Sequence, residues 1–177
     1  MHPERLVGRR SSAIVAPVLL GTVFLGGCVQ RSELAIPSTE EVEAHYASET
    51  ALEAEVRGNL AVITVVQPAA QLRRGGSMWA KVGPYIYLFS EETRSLFADF
   101  PGLAGVRVMT KTAGGVDVAN AMLIRDELSG VQWRRALNIA GQARRDGTER
   151  PSLLEALIRW GEDHAEHEYS PRFTARH

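Results

Sequence analysis

Between residues 38 and 177 the apolar positions change period several times, and each change marks an expected element. Ser38-Thr39-Glu40-Glu41 reads as a capping box, and Glu43 adds a third acid where a helix dipole favours negative charge, so a helix is expected to start there. From residue 51 the period drops to two. Leu52, Ala54 and Val56 alternate with Glu53, Glu55 and Arg57, and Gly58-Asn59 separates them from the apolar run 60–66. That pattern predicts a β-hairpin with a two-residue turn, in competition with one helix over residues 40–57 stopped by Gly58. Residues 67–76 hold Pro68, Gly75 and Gly76 and are expected to form a loop. A short run at 77–82 follows, and after Gly83-Pro84 the aromatic and branched residues 85–89 predict a strand. Tyr85, Tyr87 and Phe89 would share one of its faces, with Ile86 and Leu88 on the other, as in a central strand.

Ser90 is expected to cap a helix opening with Glu91-Glu92, whose Leu96, Phe97 and Phe100 lie on one side before Pro101-Gly102 ends it. Residues 106–110 and 116–125 read as two strands around Gly114-Gly115, although Ala119, Ala121, Met122 and Leu123 also suit a helix. The C-terminal third carries helical signals. Ser129 and Gln132 form a capping box, Trp133, Leu137 and Ala140 follow at helical spacing, and Asp146-Gly147 closes the element. A second box, Ser152 with Glu155, opens a helix with Leu153, Leu154, Leu157, Ile158 and Gly161 on one side, expected to run until Tyr169-Ser170-Pro171. Strands followed by helices predict an α+β fold: a single domain, mainly an antiparallel sheet, with C-terminal helices packed on one face.

The N-terminus follows a different logic. Arg5, Arg9 and Arg10 precede an uncharged stretch over residues 11–27, whose apolar run spans 13 residues, and Leu25-Gly26-Gly27-Cys28 closes it. A spanning helix needs about 20 apolar residues, and this run is shorter and is interrupted by Pro17 and Gly21. The segment resembles the signal peptide of bacterial lipoproteins, in which a small-residue lipobox ends at the cysteine that carries the lipid. The resemblance implies a leader over residues 1–27, cleavage before Cys28, a thioether-linked diacylglycerol on its sulfur and a further acyl chain on the freed amine. Residues 28–37 would then tether the anchor to a single α+β domain over 38–177. Each buried methylene contributes about 0.8 kcal/mol, so two or three chains make an effectively permanent anchor. Val29 follows the cysteine where Asp would favour inner-membrane retention, so in a two-membrane bacterium the resemblance implies the outer membrane, facing the periplasm.

Composition bears on partners. Cys28 is the sole cysteine, so no internal disulfide is available, and acylation accounts for a lone thiol in an exported chain. Without a leader carrying three Arg and one Glu, 17 basic residues stand against 20 acidic, a net charge of −3 that argues against a nucleic-acid partner. The implied contacts are the membrane, through the acyl chains, and another envelope protein.

Candidate chemistry is sparse. On a continuing helix, His164 and His167 lie three apart and Asp163 and His167 four apart, so two imidazoles and a carboxylate would converge on a divalent metal. That is the alternative function, a membrane-anchored metal-dependent hydrolase. Arg73-Arg74-Gly75-Gly76 offers an anion-binding turn, although it lacks the spacing and terminal lysine of a phosphate loop. With no Gly-x-Ser-x-Gly elbow and no second thiol, no catalytic residue is singled out and no cofactor is expected. The principal expectation is therefore a non-enzymatic binding or assembly protein.

Overall fold

The structure is a computed structural model that describes residues 35–47 and 52–175, apart from the side chains at positions 74 and 75. It opens as the capping box requires. Ser38 caps α1 (Thr39–His45), its hydroxyl accepting from the Glu41 amide while the Glu41 carboxylate accepts from the Ser38 amide. The helix stops at His45, so the alternative of one helix over 40–57 does not hold. The alternating segment instead forms β1 (Leu52–Arg57), which turns through Gly58, at φ 62°, into β2 (Leu60–Val66). They pair antiparallel, Leu52 opposite Val65 and Arg57 opposite Leu60.

The next segment departs furthest from expectation. Residues 69–88, anticipated as loop, short run and strand, are one helix, α2 (Ala69–Leu88), interrupted at Gly76 (φ 54°, ψ −137°) and carrying Pro84 inside. Its buried residues Trp79, Val82, Tyr85 and Leu88 fall at helical intervals across the Gly83-Pro84 pair that read as a breaker. The β-propensity of Tyr, Ile and Phe largely expresses fit to a half-buried sheet surface, and a packed helix face satisfies the same side chains. Ser90 then caps α3 (Glu91–Asp99) as expected. Helices α2 and α3 together supply the long connection needed before β3 (Gly105–Lys111) can pair parallel to β2.

β4 (Asp117–Ile124) returns antiparallel to β3, which settles the strand-or-helix choice for that segment. A 3₁₀ turn leads to α4 (Gly130–Asp146), capped by the Ser129–Gln132 box. α5 (Pro151–His164) departs from expectation at both ends. It starts one residue before Ser152, with Pro151 in its first turn and no side-chain cap, and it ends at His164. Residues that were to extend it form β5 (Glu166–Tyr169), which pairs antiparallel with the otherwise bare edge of β4, followed by α6 (Pro171–Thr174).

The sheet order is β1-β2-β3-β4-β5, antiparallel except for the β2–β3 pair, and the fold class is α+β. One face supplies Ala61, Ile63, Val65, Val106, Val108, Ala121 and Leu123 to the core, which α1 to α5 complete from the same side. Ala136, Ala140 and Ala143 of α4 and Gly161 of α5 are buried, so these helices approach closely.

Candidate functional site

The same alternation that sends one set of side chains into the core sends the other set away from it. Cross-strand register aligns Glu55, Val62, Arg107, Met122 and Glu166 in one row and Glu53, Thr64, Met109, Asn120 and Glu168 in the next. None of these ten belongs to the core. The three middle strands place Val62, Arg107 and Met122 in one row and Thr64, Met109 and Asn120 in the next, and the two outer strands carry the four glutamates. Val62 is only 6% exposed although it points away from the core, and Arg107 reaches sideways, its Nη2 lying 3.4 Å from Met122 Sδ. Some charges are neutralised locally. Arg57 meets Glu55 at 2.7 Å and holds its carboxyl below the usual range, and Lys111 pairs with Asp117 at 3.1 Å. Asn120 Nδ2 donates to Glu168 at 3.2 Å. The face thus has three apolar side chains interspersed with Arg107, Thr64 and Asn120 at its centre, between acidic edges.

The residues proposed for metal binding are not brought together, because the helix that was to align them ends at His164. His164 stacks on Trp160, ring centroids 3.9 Å apart, and its Nδ1 donates to the Trp160 carbonyl at 2.9 Å. Its Nε2 lies 3.4 Å from Gln132 Nε2, and an amide nitrogen can only donate, so both ring nitrogens have partners. His167 is in β5, exposed, with Nδ1 3.3 Å from the Ala165 carbonyl. Asp163 shares a depression of about 310 Å³ with Glu127, Glu162, His164 and Glu166, but His167 does not line it. Among the described residues no group of three or more His, Cys, Asp or Glu is arranged to hold a metal ion, and this donor set does not fit one. Arg73 and the position of Arg74 fall within α2 rather than in a loop, Arg73 exposed and the Arg74 side chain outside the described residues. Gly76 adopts a positive φ, as a break between two helical segments. Cys28 also lies outside the described residues, and among those described no helix is long and apolar enough to cross a membrane.

Sequence reasoning missed a polar cluster that joins α2, α5 and β5. Tyr169 donates to Glu162 Oε1 at 3.1 Å and therefore accepts from Tyr85, the two hydroxyls 2.6 Å apart. Lys81 Nζ lies 3.5 Å from the same carboxylate and 4.8 Å from the Tyr169 ring centroid. Burial first, then the proximity of Glu162, pushes the Tyr85 hydroxyl above its ordinary range, and burial with the Tyr85 hydrogen bond does the same to Tyr169. Neither phenol is poised to lose its proton near neutrality, so the cluster is a clasp holding β5 to the helices. The open face itself was legible as alternation in residues 105–111, where Arg107, Met109 and Lys111 interleave with Val106, Val108 and Thr110. Comparison with known proteins finds no family profile, no curated protein and no solved structure that matches this chain.

Proposed function

We propose that this chain is a lipid-anchored bacterial envelope protein whose folded domain docks another envelope protein on the open face of its sheet, without catalysing a reaction. The observation that supports docking is one-sidedness: the helices complete the core on one face and leave Val62, Met109 and Met122 on the other. Apolar side chains at the centre of a polar-edged face are the usual make-up of an interface. The acidic edges, Glu53 on one side and Glu166 and Glu168 on the other, with Glu55 already paired to Arg57, call for a partner whose apolar contact is flanked by Lys or Arg. Anchoring rests on the leader, with acyl chains on Cys28 and residues 28–37 as tether. Delivery to the periplasmic side of an outer membrane follows from Val29 in a two-membrane organism.

A photo-crosslinking amino acid placed at Met109 in cells is expected to trap one adduct of defined mass. The same probe at Val131, 67% exposed on α4, is expected to trap none. Thr64→Arg, which adds a cation opposite Met109, should abolish the adduct while changing stability by no more than about 0.5 kcal/mol. No adduct, or the same adduct from both positions, would discard the docking face.

A further inference from the structure

Away from the open face, a cleft of about 300 Å³ lies between the end of β2, the second half of α2 and Arg144 of α4. We propose that it is a binding site for a small carboxylate with an apolar or aromatic body, the body lying against Trp79, Ile86 and Tyr87 and the carboxylate meeting Arg144.

The walls are built rather than incidental. Gln67 is 4% exposed and held at two points, its backbone amide donating to the Lys111 carbonyl at 2.7 Å and its Nε2 to the Trp79 carbonyl at 2.6 Å. That second bond fixes the orientation of the amide, since a carbonyl accepts only from the nitrogen. Gln67 Oε1 has no donor among the described residues. A Cβ on Gly83 would stand 3.2 Å from that oxygen and 3.0 Å from Thr110 Cγ2, so glycine lets α2 press against the strands here and sets the depth of the cleft. Above this floor Val65, Pro68, Trp79, Ile86 and Tyr87 give the lining an apolar and aromatic wall beside its polar groups.

Charge selects the ligand class. Among the described residues the lining contains one ionisable cation, Arg144, and no Asp or Glu. Its guanidinium carbon is 5.5 Å from the Tyr87 ring centroid, which places the charge beside the aromatic wall. A planar guanidinium presents paired donors that match a carboxylate, while an aromatic and apolar wall with a few fixed polar groups is what small-molecule sites share. A neutral apolar molecule would forgo the first contact and an inorganic anion the second.

The full chain, reconstituted in lipid nanodiscs and labelled with 15N-tryptophan, tests this by following the Trp79 indole N–H during titration with 3-phenylpropionate and with its neutral amide. The acid is expected to shift the signal saturably and to bind roughly tenfold more tightly than the amide, the scale of one charge-assisted contact. Arg144→Gln should bring the acid to the affinity of the amide while leaving the other two indole signals in place. A Trp79 signal that neither probe moves at millimolar concentration, equal affinity for acid and amide, or a preference for the acid that survives Arg144→Gln would each overturn the site.

Discussion

Gly161 has no room for a methyl group, because a Cβ there would lie 2.5 Å from the Tyr85 ring. Gly161→Ala is expected to destabilise by about 1–3 kcal/mol through overpacking, read as a lower urea midpoint with an unchanged slope. Arg125 is a comparable case in polar form. Its guanidinium donates to the carbonyls of Leu103 at 2.5 Å, Phe97 at 2.6 Å and Phe100, closing the C-terminal end of α3 where a cation also complements the helix dipole. Arg125→Ala should cost about 2 kcal/mol in the same measurement, and Arg125→Lys should recover only part of it because an ammonium lacks the planar fork. The placement of Gly161 on the apolar side of its helix was readable from spacing. That a tyrosine ring fills the missing side chain was not, since Tyr85 lies 76 positions earlier in the chain. Nothing near Arg125 in sequence announced its three carbonyl partners either, because they lie at the end of α3 and in the loop before β3, which the β3–β4 pairing brings beside it.

At the scale of elements most local signals hold, the Ser152–Glu155 box being the exception, since α5 starts at Pro151 without a side-chain cap. The caps at Ser38, Ser90 and Ser129, the hairpin at Gly58-Asn59 and the stop at Gly147 each depend on groups within a few residues. Errors arose where distant contacts decide. Residues 85–88 are helix because α2 lies over β3, β4 and α5, and residues 166–169 are strand because β4 offers an unpaired edge. The second change scattered the proposed metal ligands, so that part of the site was not legible at all. The clasp that secures β5 has a pH signature. Tyr85 and Tyr169 both have folded pKa values raised above the ordinary 10.0, so the folded state keeps protons that the unfolded chain releases. The corresponding stabilisation is complete below pH about 10 and is lost as pH rises beyond it. Replacing both with Phe is expected to flatten the alkaline fall in stability measured by denaturant titration at a series of pH values. Tyr46, buried and bonded to Thr93 Oγ1 at 2.6 Å, is raised in the same direction and should preserve the remainder of the fall.

For the whole molecule, position and recognition are assigned to different parts of the chain: acyl chains on Cys28 in the proposed function, and one sheet face in the folded domain. Cys28→Ser is expected to abolish incorporation of labelled fatty acid and to leave residues 1–27 attached, seen as a heavier intact mass. A native product with an unmodified Cys28 would remove the membrane assignment while leaving the docking face to its own test. The sequence by itself determined the α+β class, the capped helices, the first hairpin and the alternation that separates Val106 and Val108 from Arg107 and Met109, because each follows from bonding and periodicity over a few residues. Only the tertiary structure decided which face the helices cover, that residues 85–88 are helical and that β5 exists. Those outcomes turn on contacts such as Tyr85 with Tyr169, 84 residues apart, and local preferences of a few tenths of a kcal/mol per residue yield to the burial of whole side chains at about 1.5–3 kcal/mol each.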